Sequence, residues 1–177
     1  YLTHAPIEAA NRIRAEHDLN PDSIDAVEVR VAPGALGVCN IQEPRTGLEG
    51  KFSLRSTAAM ALSGIDTSSL QTFTDARVTE PGLVHLRDRV RIVADEKLGG
   101  TQSTVVVESR GRRWQSSADS GVPAPDLAAQ RASLLRKFNA IVAPVIGERN
   151  AQRLADAALH ADENISASEL MKLTRAA

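Results

Sequence analysis

An α+β domain is the fold class this sequence predicts, with a mostly antiparallel sheet of about four strands and a helical C-terminal layer. Three observations predict it. Period-two alternation rich in β-branched residues recurs at 26–31, 89–93, 104–108 and 112–116. Helical spacing of apolar residues fills the stretches before, between and after those segments. The last three strands are joined too closely for helical crossovers, which favours antiparallel pairing over a doubly wound sheet.

In chain order, the first helix is expected to begin near Ala5-Pro6, because proline tolerates the first turn, where its missing N–H costs nothing. Ile7, Ala10, Ile13 and His17 supply its apolar periodicity, and Asn20-Pro21-Asp22 ends it. Ala26 to Val31 alternates as a half-buried strand, stopped by Pro33-Gly34. A looser stretch runs through Cys39 to Pro44. A second helix is predicted over 47–62, with its Ser56-to-Leu62 run buried and Gly64 closing it. Leu70 to Val90 reads as one or two short helices interrupted at Glu80-Pro81-Gly82. Arg89 to Val93 resumes the strand alternation, and Ser109-Arg110-Gly111 makes a tight hairpin between the two strands that follow. Leu127, Leu134, Leu135, Phe138, Ile141 and Val142 mark a C-terminal helical layer, which ends in a short helix over 166–174.

The length of 177 residues suits one domain with a helical appendage, burying roughly 70% of its unfolded surface. Hydrophobic residues at 42% and charged residues at 24% are ordinary for a globular protein. With 21 basic and 22 acidic residues, no general field draws nucleic acid or anionic membrane to the chain, so any anion site is local. Five aromatic residues (Tyr1, Phe52, Phe73, Trp114 and Phe138) are too few for a base-stacking platform, and Arg110, Arg112 and Arg113 on one hairpin do not make a basic face. The lone Cys39 excludes a disulfide framework and a cysteine metal knuckle, and it reads as a small buried residue. No apolar run approaches the ~20 residues of a membrane span. The first residues show no signal-peptide pattern, so a cytoplasmic protein is the default expectation.

Templates for phosphate loops, nucleophile elbows and paired zinc histidines find no match. His17 and His160 read as surface or capping residues, the latter beside Asp156 and Asp162, and His85 lies on a short helix. His4 differs in placement. It stands at a helix start, where the positive end of the dipole favours a neutral imidazole, and a neutral imidazole is a usable general base. The competing reading makes Thr3 and His4 ordinary capping residues. A second candidate lies in Pro44-Arg45-Thr46-Gly47-Leu48-Glu49-Gly50-Lys51-Phe52-Ser53-Leu54. Free backbone N–H groups at this helix start, with Thr46 and the cations Arg45 and Lys51, would bind a carboxylate. A lysine in a first turn opposes the dipole, so Lys51 needs Glu49 or an anionic ligand as a partner. A solvated lysine whose stem covers apolar surface is the plainer account.

The segment Thr46-Gly47-Leu48-Glu49-Gly50-Lys51-Phe52-Ser53-Leu54 resembles the characteristic stretch of the MmgE/PrpD family, which includes 2-methylcitrate dehydratase, cis-aconitate decarboxylase and iminodisuccinate epimerase. Thr3-His4-Ala5-Pro6-Ile7-Glu8 resembles that family's Thr-His-x-x-x-Asp helix entry. Phe73-Thr74-Asp75-Ala76-Arg77-Val78, followed by Glu80-Pro81 and Arg89-Val90-Arg91, resembles a further stretch, as does Lys137-Phe138 in the C-terminal helix. The resemblance covers nearly the whole chain and implies the smaller, lid-like α+β domain of a two-domain enzyme. A helical N-terminal domain, expected outside residues 1–177, would carry much of the catalytic apparatus.

Carried across position by position, the resemblance implies that His4 is catalytic and that Lys51, Ser53 and Thr46 bind or support the substrate carboxylates. It implies a lyase or isomerase acting on a small polycarboxylate by dehydration, decarboxylation or epimerisation through proton abstraction next to a carboxylate, with no cofactor or metal, working as a homodimer with its helical domain as partner. Two departures stand out: the family often continues Phe-Ser-Leu with Pro-Tyr, where this chain has Arg55 and Ser56, and Glu8 replaces an aspartate. The loss of that tyrosine leaves a rival reading, a non-catalytic binding or interaction domain derived from the same lid.

Overall fold

A computed structural model of the chain describes residues 1–160 and 166–175. It has the α+β architecture expected, with a four-stranded mixed sheet and, among the described residues, nine α-helical segments. The chain divides into two compact units, one formed by 1–67 and 71–123, the other by 68–70 and 124–177.

The first unit contains the sheet. Helix α1 (His4–His17) opens it one residue earlier than Pro6 suggested, and Pro6 sits in the first turn, where no N–H is needed. Strand β1 (Ile24–Val31) follows, then the short α2 (Pro33–Leu36), α3 (Gly47–Lys51), α4 (Leu54–Leu62), α5 (Asp75–Val78) and α6 (Pro81–Arg87). Strands β2 (Val90–Ala94), β3 (Gln102–Ser109) and β4 (Arg112–Asp119) complete it.

Sheet order is β2-β1-β3-β4, and this corrects one expectation. Although β2 and β3 are consecutive, they do not pair: β1 lies between them, parallel to β2 and antiparallel to β3. The physical reason is the long helical crossover from β1 to β2, which is what a parallel pair requires. Antiparallel pairing holds for β1–β3 and β3–β4. The β3–β4 hairpin turns on Arg110 and Gly111, both at positive φ (50° and 72°), the conformation whose twist matches the flanking strands. The Arg110 N–H donates to Asp25 across the sheet end at 2.8 Å, which holds the less permissive of the two residues in place.

Alternation divides the sheet into two faces. Val27, Val29 and Val31 of β1, Val90 of β2 and Val105 and Val107 of β3 are buried, under α1 and α4. Small residues in α1 (Ala5, Ala9 and Ala10, with Ile13) let it lie close to the strands. The opposite face is polar, carrying Glu28, Arg30 and Arg91 beside Val106. Glu28 is bonded by both Arg30 and Arg91, and the Arg30 hydrogen bond is the chief reason its carboxyl stays below the usual range.

The second unit is helical: α7 (Leu127–Ile146), α8 (Glu148–Leu159) and α9 (Ala167–Leu173). Asp126 caps α7 by accepting from the N–H groups of Ala128 and Ala129. Gly147 at φ 81° separates α7 from α8, a backbone conformation that side chains disfavour. Ser166 and Glu169 form a reciprocal capping box at the start of α9, as the Ser166 boundary suggested. Among the described residues no helix is long and apolar enough to cross a membrane.

Candidate functional site

The α3–α4 segment is where the candidate residues gather, and its form corrects the single helix expected over 47–62. Two helices meet at a break. Phe52 closes α3, and Ser53 leaves the helical conformation (φ −116°, ψ 106°) to cap α4, its hydroxyl accepting from the Ser56 N–H at 3.2 Å. A serine able to cap competes with helix continuity, and here it wins because neighbouring backbone rewards the extended conformation. Asn40 bridges Ser53, and the Leu54 N–H donates to the Cys39 carbonyl at 2.9 Å. Cys39 is buried at this junction, and burial pushes its thiol above the usual range. A small buried residue was the expected role.

Because α3 has only five residues, Lys51 lies in its last turn, where the dipole accepts a cation, not in an unfavourable first turn. Its ammonium sits 5.4 Å from the centre of the Phe73 ring, a cation–π contact. Thr46 is the N-cap of α3 and forms a capping box with Glu49: the Thr46 hydroxyl accepts from the Glu49 N–H, and the Glu49 carboxylate accepts from the Thr46 N–H. The Arg45 N–H also donates to that carboxylate, at 2.7 Å, and the Gly47 N–H donates to Asp75 at 2.8 Å. These donors, Arg45 first, hold the Glu49 carboxyl below its usual range. So the Arg45, Thr46 and Gly47 N–H groups, at the turn where free donors were expected, are engaged by two carboxylates, Glu49 and Asp75. Those two carboxylates come from the chain itself, not from a ligand as expected.

The structure also explains why two separate sequence stretches belong together. Gly47 lies so close to the next motif that a Cβ there would fall 2.0 Å from the Phe73 carbonyl oxygen. One at Gly50 would fall 2.6 Å from a Val78 methyl carbon. Segment 46–54 therefore docks onto segment 73–78 through its two glycines, the Asp75 cap and the Lys51–Phe73 contact. Glycines three apart in a short helix were the available signal for such a close approach.

His4 stands apart from this segment in sequence, as the first residue of α1 and exposed, its ring 5.9 Å from that of Tyr1 in an edge-on arrangement. Thr3 occupies the N-cap, as the capping reading had it, with its backbone carbonyl accepting from the Ile7 N–H and no side-chain cap bond. The packing of α1 against α4 ties both candidate elements into one unit. Ser53 is fully buried, Lys51 half-buried and Thr46 exposed. Of the other histidines, His17 stacks on Trp114 at 5.3 Å, His85 lies 2.6 Å from an Arg89 nitrogen, and His160 caps α8 by its backbone. Asp162, read as a neighbour of His160, lies outside the described residues. Among the described residues, no three His, Cys, Asp or Glu side chains are grouped to hold a metal ion.

Position 55 is the one that sequence reasoning undervalued. Arg55 is the only residue of α4 not fully buried, and among the described residues its Nε is shut away without a hydrogen-bond partner. The signal was the charge itself, standing in an otherwise apolar helix.

The first unit joins an α+β sheet, a glycine-docked helix pair and a histidine at a helix entry. Residues 1–163 match the MmgE/PrpD C-terminal domain, and the chain belongs to that family. No curated protein matches the chain.

Proposed function

We propose that this domain closes over a small polycarboxylate in a lyase or isomerase that works by proton abstraction next to a carboxylate. The observation that carries this reading is family membership over residues 1–163, which includes both the His4 entry and the Lys51 segment. In the proposed reaction His4 takes the proton from the carbon beside a carboxylate, and negative charge develops on that carboxylate. Lys51 stabilises this charge, as a positioned cation does in a water-poor site. In dehydration a general acid protonates the leaving hydroxyl, which departs as water as the double bond forms. In epimerisation the proton returns to the opposite face. Ser53, fully buried, supports the site by holding the α3–α4 break rather than by touching ligand.

Exposed apolar side chains on α7, among them Leu127, Leu134 and Val145, support a helical N-terminal domain as the partner. The resemblance further implies a homodimer. A non-catalytic binding domain is the second reading, and one observation favours it. Ser56, where the family often has tyrosine, is fully buried and presents no phenol to a substrate.

Turnover and carbon–hydrogen exchange on a panel of small polycarboxylates test the proposal in the full-length protein. His4→Ala is expected to lower turnover by about 10²- to 10⁴-fold, the range for losing a positioned base. Unchanged turnover in that variant removes His4 from the mechanism, and no exchange in the unaltered protein favours the binding domain.

A further inference from the structure

Among the described residues, the ammonium of half-buried Lys51 has no carboxylate within ion-pairing distance; what it meets is the face of Phe73, 5.4 Å from the ring centre. The two acids nearest in the motif segments are engaged elsewhere. Glu49 accepts from the Arg45 and Thr46 N–H groups, and Asp75 accepts from the Gly47 N–H. The ring, by contrast, is fixed to the helix that carries Lys51. Gly47 lets the Phe73 carbonyl come close to the start of α3, and a Cβ at Gly50 would stand 3.8 Å from the ring carbon Cδ1. On the other side Thr74 caps α5, its hydroxyl accepting from the Arg77 N–H at 3.1 Å, and the ring packs on the buried core. Of the two partners, the ring is the rigid one and the lysine the adaptable one.

Resting on the proposed function, we infer that Phe73 is the positioning residue of Lys51: its ring holds the ammonium in place for a ligand carboxylate while leaving the charge unneutralised. A lysine stem is rich in rotamers, and ordering it only when the ligand arrives weakens binding. A protein carboxylate would order it too, but would neutralise the charge and take up its donors. A ring face attracts a cation through its quadrupole, and the separation here lies inside the roughly 6 Å over which that attraction counts. The ammonium is thereby ordered without being matched by an opposite charge. The close approach of α3 to Phe73 requires glycine at 47 and 50, which ties the position of the ring to the lysine segment and not to the core alone.

The test is calorimetric titration of the full-length protein with citrate and succinate. It compares the unaltered chain with Phe73→Tyr, Phe73→Leu and Phe73→trifluorophenylalanine, each alone and together with Lys51→Met. The fluorinated ring keeps its shape but loses its negative face. It and Phe73→Leu should each weaken both ligands by about two- to tenfold, the range of a cation–π contact, and Phe73→Tyr should bind as the unaltered chain does. Beside Lys51→Met the same substitutions should have no further effect, a coupling that a space-filling role lacks. Binding unchanged by the fluorinated ring, or weakened equally with and without Lys51, overturns the inference alone and leaves Phe73 as packing. Binding unchanged in Lys51→Met, or absent from the unaltered protein, overturns the inference together with the placing of the ligand at Lys51.

Discussion

Helices α4 and α7 are equally apolar in average composition, yet their surroundings differ sharply. In α4, eight of nine residues are buried, and only Arg55 reaches out. In the twenty residues of α7, only Ile146 is buried, while Leu127, Leu134 and Val145 stay exposed. Composition is thus a poor guide to burial. Helix α4 is enclosed because α1, α6 and β2 pack against it and its own small residues let them approach. The apolar side chains of α7 are spread along five turns, more surface than short neighbours such as α8 and α9 can cover.

The largest expected effect sharpens the buried side of this contrast. Met60→Ala removes a fully buried side chain from α4 and should cost about 2–5 kcal/mol, measured by denaturant unfolding of the first unit's signal. A cost below about 1 kcal/mol would mean that α4 is less enclosed than its surroundings indicate.

A smaller effect comes from pH and contrasts Glu28 in the first unit with Glu169 in the second. Both carboxyls are held below the ordinary range, Glu28 mainly by Arg30 and Glu169 by the Ser166 hydroxyl. A carboxyl whose folded pKa is depressed adds stability that is present above its unfolded pKa and fades as pH falls through the folded value. Stability should therefore decline below the ordinary glutamate range of about 4.3. Glu28→Gln should flatten that acid limb for the sheet unit while leaving the helical unit's limb unchanged. Equal flattening of both would break the distinction between the two regions.

The smallest effect belongs to α7. Leu134→Ala should change the stability of this chain by less than about 0.5 kcal/mol, as surface substitutions do. A loss as large as that of Met60→Ala would show the α7 face to be covered, and the contrast would fall.

Much of this protein was legible in order and type. The strand alternation and the Arg110-Gly111 turn are local signals, and each strand begins within two residues of where it was read, β4 running three residues past its expected end. The motif segment was legible as a helix start with Thr46, Glu49 and Lys51 in its turns. What could not be read there is who meets whom. Nothing local says that Asp75 caps Gly47, that Phe73 carries Lys51, or that Ser53 breaks the helix because Asn40 and Cys39 pair with it.

The sequence by itself therefore determined the class, α+β, the family, and the residue types at the candidate site, because periodicity, turn chemistry and motif order act over a few residues. Tertiary structure alone decided that β1 lies between β2 and β3, that the N–H groups near Thr46 are engaged by the chain's own carboxylates, and that Arg55 has none among the described residues. These depend on contacts between segments tens of residues apart, and a one-dimensional pattern carries no record of which distant partner satisfies which polar group.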